Sequence, residues 1–115
     1  MSDWQERAAE AVDLAPRAEE AAVASRLLTL LLDPDNTAVS QAAAEALLNR
    51  GDLVAVGLLA TAFAAANEDT RNKLGDCLYD EEGDRWARVR SLLDDLPDVG
   101  GALRDHMATE ERGHR

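Results

Sequence analysis

Two side chains of this sequence, Cys77 and His106, are of the types that form a thiolate–imidazole pair in nucleophilic catalysis. Nothing in the spacing of these two residues indicates that they meet. Cys77 is the only cysteine, so it can form no intramolecular disulfide and favours no cysteine-based zinc site. Free cysteine is among the most buried residue types, so we expect Cys77 in the core and His106 on a helix surface.

Carboxylates gather around Gly83 in residues 80–84, and Asp33 and Asp35 flank a proline. Calcium prefers such oxygen ligands, but the EF-hand spacing is absent. We therefore interpret residues 80–84 as a solvated turn, and the Asp33 turn as the cap of the following helix. The sequence also lacks a nucleotide-binding loop, a serine elbow and a zinc-binding HExxH motif. It predicts a protein that is not an enzyme and has no catalytic residues, cofactor or metal.

Composition narrows the classes of partner. The 115 residues include 12 basic and 23 acidic side chains, for a formal net charge of −11. This charge disfavours binding to nucleic acid or to an anionic membrane, both of which require Lys and Arg. It permits a basic protein partner, although acidity also simply maintains solubility. The N-terminus lacks the apolar core of a signal peptide, and no apolar run approaches a membrane span, so we expect a cytoplasmic location.

Residue types and spacings that favour helices cover most of the chain. Hydrophobic residues make up 46%, chiefly Ala and Leu, which favour helices, and aromatic residues only 3%. Apolar spacing predicts a single helical domain over residues 1–108, with a flexible tail at 109–115. Proline, glycine and capping residues place the boundaries. The expected helices cover about 3–14, 16–32, 37–50, 53–66 and 70–78, then one containing Trp86 to Leu96 and one beginning at Asp98. Their expected core positions include Trp4, Ala8, Ala11, Val12, Leu53, Val56, Phe63, Leu74, Val89, Val99, Leu103 and Met107.

Residues 27–48 and 58–79 form two copies of one pattern, separated by a constant offset of 31 residues. Leu27 and Leu47 recur as Leu58 and Leu78, and Ala44 recurs as Gly75. A fixed period of this length is typical of stacked helical hairpins, each of which needs its neighbour to bury its apolar face. No third copy follows at the same offset. We therefore expect the flanking helices to act as caps of the stack.

The stretch Leu-Leu-Leu-Asp-Pro-Asp-Asn-Thr-Ala-Val-Ser-Gln-Ala-Ala-Ala-Glu-Ala-Leu, residues 30–47, resembles a HEAT repeat. It is most similar to the short subclass found in phycobilisome-lyase-type proteins, in which an Asp-Pro-Asp turn precedes a Val-Arg pair and an Ala-rich helix. Val39 matches the valine, whereas Ser40 departs from the arginine. In the second copy Arg71 matches the arginine, whereas Thr70 replaces the valine and residues 64–66 replace the turn.

This resemblance implies an all-α fold, a short α-solenoid of about three helical hairpins with atypical capping helices. In such repeats the second helices of successive hairpins line one concave face. The function predicted from it is non-catalytic protein–protein interaction, as a HEAT-like scaffold or adaptor. Ala44 and Gly75 are expected on that face, together with the predicted partner-binding residues Ser40, Gln41, Glu45, Arg71, Asn72 and Asp76.

Other interpretations remain open. The acidic charge suits a small inhibitor or immunity protein that neutralises a basic toxin or nuclease. An enzyme or lyase subunit would carry a bound chromophore, and a unit of a larger array would self-associate. The basic stretch at residues 85–90 could contact an anionic partner. We instead expect Trp86 and Val89 to point inward, with the arginines paired to Asp94 or to residues 80–82.

Overall fold

Seven α-helices follow one another in a computed structural model that describes residues 3–33, 36–79 and 83–113. These ranges contain no strand, so the predicted all-α class is confirmed. None of the described helices is both long and apolar enough to cross a membrane. The helices are α1 Asp3–Leu14, α2 Ala21–Leu31, α3 Thr37–Arg50, α4 Leu53–Ala65, α5 Glu68–Asp76, α6 Asp84–Leu93 and α7 Gly101–Gly113.

Side-chain caps begin three of these helices, and α5 begins at Glu68 rather than at about residue 70 as predicted. The side-chain oxygen of Asn36 accepts a hydrogen bond from the backbone N–H of Ala38 at 2.8 Å. Asp52 caps α4 in the same way, and Asn67 caps α5. Gly51 ends α3 with a φ of 67°, a left-handed conformation that glycine adopts without steric cost. Local chemistry therefore sets the boundaries of α3 and α4, and the start of α5.

The predicted second helix, 16–32, is wrong in its first third. A 3₁₀ turn over Ala15–Arg17 comes first, and Glu20 is extended before α2 begins. The side chain of Arg50 donates a 2.9 Å hydrogen bond to the carbonyl oxygen of Ala15. The same carbonyl also accepts a 3.2 Å hydrogen bond from the backbone N–H of Ala18 within the turn. Arg50 therefore adds a contact from α3 at the break between α1 and α2, and the local sequence does not contain that contact.

Several predicted core residues are exposed. Val12 is 56% exposed and Trp4 39%, because α1 lies mainly on α3 through a face that includes the buried Ala11. Leu53 and Val99 are also exposed, whereas Leu103 and Met107 are fully buried as expected. The last helix begins at Gly101 rather than at residue 98, and it continues through the predicted tail to Gly113.

The centre of the molecule is α4, which packs against α2, α3, α5, α6 and α7. Because neighbours surround it, α4 is apolar around most of its circumference. Phe63 is the largest of the fully buried side chains and lies near its C-terminal end. Beside α4, α2 packs on α3 and α3 packs on α5. The first repeat copy therefore lies directly against the second.

Candidate functional site

The predicted contact residues on α3 are largely occupied inside the molecule. Ser40 is only 3% exposed, and its hydroxyl donates to the carbonyl oxygen of Asp33 at 3.4 Å. Ala44 and Gly75 are buried as well. The expectation that these three residues project from a concave face is wrong, because α3 is enclosed by α1, α2, α4 and α5, and because Gly75 on α5 lies against His106 of α7. Gln41 remains exposed on α3.

Glu45 is half-buried and links α3 to α6. Its carboxylate lies 2.7 Å from the guanidinium of Arg85, which also donates to Asn49 and to the backbone oxygen of Cys77. The predicted pairing of the arginines of the basic stretch with Asp94 is not observed. The other predicted partners, residues 80–82, lie outside the described ranges. The sequence did not indicate this partner, because residues 45 and 85 meet only through the packing of their helices.

Arg71 is half-buried and closes the C-terminal end of α4. It donates hydrogen bonds to the backbone oxygens of Phe63 at 2.8 Å and Ala64 at 3.1 Å. Its guanidinium lies 5.6 Å from the centre of the Phe63 ring, within the range of a cation–π interaction. The backbone N–H of Ala66 also donates to the Phe63 oxygen at 3.4 Å, so Arg71 adds a side-chain donor to the carbonyls at the end of α4.

A groove runs between α5 and α7, and we call it the α5–α7 groove. It consists of two hollows of about 510 and 540 Å³, which share Asn72 and His106 as lining residues. The wall formed by α5 includes three predicted contact residues, Arg71, Asn72 and Asp76. The other lining residues are Phe63, Glu68, Gly75, Tyr79, Ala102, Asp105, Thr109 and Glu110.

Gly75 and His106 form the closest point between the two walls. A Cβ atom at position 75 would lie 2.5 Å from Nε2 of His106, too close for any real contact. On its other side, His106 packs against Phe63 with 4.9 Å between ring centres. His106 is therefore half-buried rather than exposed on a helix surface as predicted. The imidazole on α7 therefore occupies the space that a side chain at position 75 would fill.

Carboxylates line both hollows. Glu68 and Asp105 lie at the first, and Asp76 and Glu110 at the second. Glu110 lies 3.8 Å from Nε2 of His106 and accepts a 3.5 Å hydrogen bond from the Tyr79 hydroxyl. The other three form no ion pair with any side chain in the described ranges. The groove is therefore negatively charged.

An aromatic pair lies at the second hollow. The rings of Tyr79 and Trp86 stack with 5.1 Å between their centres and 27° between their planes. Tyr79 is 47% exposed, and burial together with Glu110 raises the pKa of its phenol. The indole N–H of Trp86 donates to Glu111 at 3.0 Å, and Arg90 pairs with the same carboxylate. Hydrogen bonds from Arg90 and Trp86 lower the pKa of Glu111.

Cys77 lies in the core as predicted, 5% exposed, and its thiol donates to the backbone oxygen of Lys73. Burial raises the pKa of this thiol to about 11, so it is protonated at neutral pH and a poor nucleophile. The partners of His106 are Phe63, Gly75 and Glu110. In the part of the chain that the structure describes, no three His, Cys, Asp or Glu side chains gather where they could hold a metal.

No protein-family model matches the chain, and neither a curated protein nor a solved structure is similar to it. The resemblance of residues 30–47 to HEAT repeats stays a prediction. Sequence reasoning missed the wall contributed by α7. Asp105 and Thr109 lie four residues apart, on the face opposite Leu103 and Met107, so helical spacing could have identified them.

Proposed function

We propose that this chain is a non-catalytic protein-binding module, a short HEAT-like stack whose α5–α7 groove receives a segment of a partner protein. The main support for this proposal is that two independent results point to the same groove. The predicted contact residues Arg71, Asn72 and Asp76 line one wall of the groove, and α7 supplies a second polar wall.

The stack is supported by the burial of equivalent residues in the two copies. Leu47 and Leu78 are buried, as are Ala43 and Leu74. The first helices of the two copies pack together, as do the second helices. Leu48 is buried whereas its counterpart Tyr79 is exposed, and this difference lies at the groove. The second copy therefore departs from the first where a binding surface requires an exposed side chain.

The shape and polarity of the groove suit a peptide segment better than a small molecule. Small-molecule sites are mostly apolar and enclosed, whereas this groove is open and carries four carboxylates along its length. The nine residues of α5 span about 12 Å at 1.5 Å per residue. An extended segment of about four residues would cover that length.

The test begins with a pull-down from the native cell and mass spectrometry, after which the identified partner is purified and its Kd is measured. The double variant Asn72→Lys and Asp76→Lys should weaken binding at least about tenfold, a cost near 1.4 kcal/mol. Asp13→Lys, an exposed change on α1, is the control and should leave the Kd unchanged. The proposal would be refuted if the unchanged chain, the double variant and the Asp13→Lys control bound the partner with equal affinity. Glu45 and Arg71 are unsuitable for this test because they stabilise the fold.

A second candidate function is a small acidic inhibitor that neutralises a basic toxin or nuclease. It is favoured by the carboxylates of Glu68, Asp76 and Asp105, which have no cationic partner among the described residues. Charge-steered inhibition predicts an association rate that falls steeply as salt rises, because screening shortens the range of the attraction. A scaffold that binds mainly through shape would show little change in association rate over the same range of salt.

A further inference from the structure

We propose that the exposed side of α2 and α4 binds the same side of a second copy of this chain, about a two-fold axis. Both helices pack on α3, so the sides that they expose point away from it. We call this surface the α2–α4 face, and it shares no residue with the lining of the α5–α7 groove. On α2 it consists of Ser25 and Thr29, and on α4 of Leu53, Val54, Gly57, Thr61, Ala64 and Ala65.

The α2–α4 face is uncharged in a strongly charged protein. Charged residues make up 30% of the chain, and the formal net charge is −11. Among the helices of the described ranges, α4 alone contains no Asp, Glu, Lys or Arg. The single charged residue of α2 is Arg26, whose guanidinium donates two 2.8 Å hydrogen bonds to Glu10 of α1. A helix that is apolar all round is usually buried all round, so the exposed side of α4 lacks the cover that its composition predicts.

The polar groups of this face already have partners, so the face can leave water at low cost. The Thr61 hydroxyl donates to the backbone oxygen of Gly57 at 2.8 Å, and the Thr29 hydroxyl donates to that of Ser25 at 3.2 Å. Burying these hydroxyls therefore leaves neither donor without an acceptor. Leu53 is 41% exposed, and its apolar surface would be removed from water in the dimer.

Charge favours a second copy as the occupant. Copies of so acidic a chain repel each other wherever their charged surfaces meet, and an uncharged face allows contact without this repulsion at short range. A basic partner would find no carboxylate on the α2–α4 face. The carboxylates that would attract such a partner line the α5–α7 groove instead.

The outer side of α4 is also complementary to itself. Its bulky pair, Leu53 and Val54, and its small pair, Ala64 and Ala65, lie equally far from Leu59, the middle residue of the helix. When two copies of α4 cross antiparallel about a two-fold axis, the bulky pair of each therefore lies against the small pair of the other.

The crossing point of the two helices has little side-chain bulk. Gly57 and Thr61 lie on either side of the middle of α4. A Cβ atom at position 57 would meet no atom within 4 Å, so the space above this glycine is open. The distance between packed helices depends on the side chains at their contact, so Gly57 permits a close approach.

The size of the face indicates a weak dimer. Two neighbouring helices of this length present a surface of about 400 Å² in each copy, at 1.5 Å per residue and about 10 Å per helix diameter. Stable interfaces bury about 800 Å² per partner. We therefore expect a dimer that forms only at high protein concentration, with a Kd of about 0.1–1 mM.

Sedimentation equilibrium of the full chain, at concentrations below and above this range, measures the Kd. The Debye length falls from about 10 Å in 0.1 M salt to about 3 Å in 1 M salt, so the repulsion between the copies weakens. The dimer should therefore be at least about threefold tighter in the higher salt. A contact between opposite charges would show the reverse dependence.

A charge placed on the face tests its position. Thr61→Glu should weaken the dimer at least about tenfold, because the two-fold axis brings a carboxylate from each copy into an uncharged contact. The matched control is Ala9→Glu, the same change in charge at an exposed position of α1, and it should leave the Kd nearly unchanged. Circular dichroism of each variant checks that the helices are retained.

A mixture of two variants tests the two-fold arrangement. Thr61→Glu and Thr61→Arg should each associate poorly alone, because like charges face each other. An equimolar mixture should associate more tightly than either variant, because opposite charges then meet at the crossing. A mixture that is no tighter than its components would contradict the arrangement.

A chain that stays monomeric at every concentration in both salts would overturn the inference. A dimer that weakens as salt rises, or that responds equally to Thr61→Glu and Ala9→Glu, would do the same. If the chain is monomeric and a purified partner protein binds Thr61→Glu more weakly than Ala9→Glu, that partner covers the face, and a second copy does not.

Discussion

At the scale of single residues, Gly75 and His106 determine how closely α7 approaches α5. The missing side chain at position 75 gives the imidazole its place beside the helix backbone. Phe63 supports the other side of the imidazole, and Arg71 lies over Phe63 in turn. Gly75, His106, Phe63 and Arg71 therefore form one packed series, so a change at one of them should alter the others.

Gly75→Ala should therefore destabilise the protein by about 1–3 kcal/mol, the usual cost of forcing extra volume into a packed position. The matched control is Gly57→Ala on α4, where an added Cβ meets no atom within 4 Å. That change should stabilise the protein by about 0.5–1 kcal/mol, because alanine is the better helix former. Urea unfolding of both variants measures the two effects.

Whether the contact with His106 causes this destabilisation is tested by repeating Gly75→Ala in a His106→Ala background. With the imidazole gone, the added methyl group has room, and the substitution should be neutral or stabilising. Destabilisation of the same size in both backgrounds would show that the contact with His106 is not the reason for glycine at this position.

At the scale of helices, Asn36 and Asn67 are equivalent capping residues, separated by the same 31 positions as the two copies. Each precedes the second helix of its copy, and each accepts a backbone hydrogen bond in the first turn. Arg50 shows the limit of such local signals. Its side chain, on α3, donates a hydrogen bond to the carbonyl oxygen of Ala15, in the 3₁₀ turn between α1 and α2.

Asn67→Ala should lower the free energy of unfolding by about 1 kcal/mol, because an N–H at the start of α5 would lose its acceptor. Asn36→Ala should have a similar effect on α3. Asn72→Ala is the control, since Asn72 is exposed within α5 and caps no helix, and it should change stability by less than about 0.5 kcal/mol. Thermal unfolding, monitored by circular dichroism, compares the stabilities of these three variants. Equal stabilities of the Asn67 and Asn72 variants would contradict the assigned capping role.

At the scale of the whole molecule, α4 joins the two halves. The other helices of the two repeat copies, α2, α3 and α5, pack on it, and so do α6 and α7. Contacts near the C-terminus hold α6 and α7 together, since Glu111 on α7 accepts from Trp86 and Arg90 on α6. Glu111 lies beyond the predicted domain boundary at 108, and that boundary falls within α7.

A chain ending at Ala108 should be less stable than the full chain, since it loses the hydrogen bonds that the carboxylate of Glu111 accepts from Trp86 and Arg90. Glu111→Ala should reproduce part of this loss. Asp105→Ala, at an exposed position of the same helix without an ion pair in the described ranges, should have little effect. Urea unfolding provides the measurement. A truncated chain as stable as the full one would support the predicted tail at 109–115.

Much of the fold could be predicted, because helix formation depends on neighbours a few residues apart. The bounds of α1 are confirmed, and Asn36, Asp52 and Gly51 are of residue types that favour the capping and helix-ending roles they have here. Predictions were less successful where they required knowing which face of a helix packs against a neighbouring helix. Trp4, Val12, Leu53 and Val99 have apolar spacing but remain exposed. Periodicity shows that a helix has an apolar side, and it does not show how much of that side a neighbour covers.

The sequence by itself determined the all-helical class, the acidic surface and one wall of the groove, because composition and spacing within a helix are local properties. Only the tertiary structure decided that α7 forms the opposite wall, that Ser40 is buried, and that Tyr79 is exposed beside Asp76 and Glu110. These outcomes depend on contacts between residues about 30 positions apart or more. No local pattern encodes them, since the same helices could pack with different faces together.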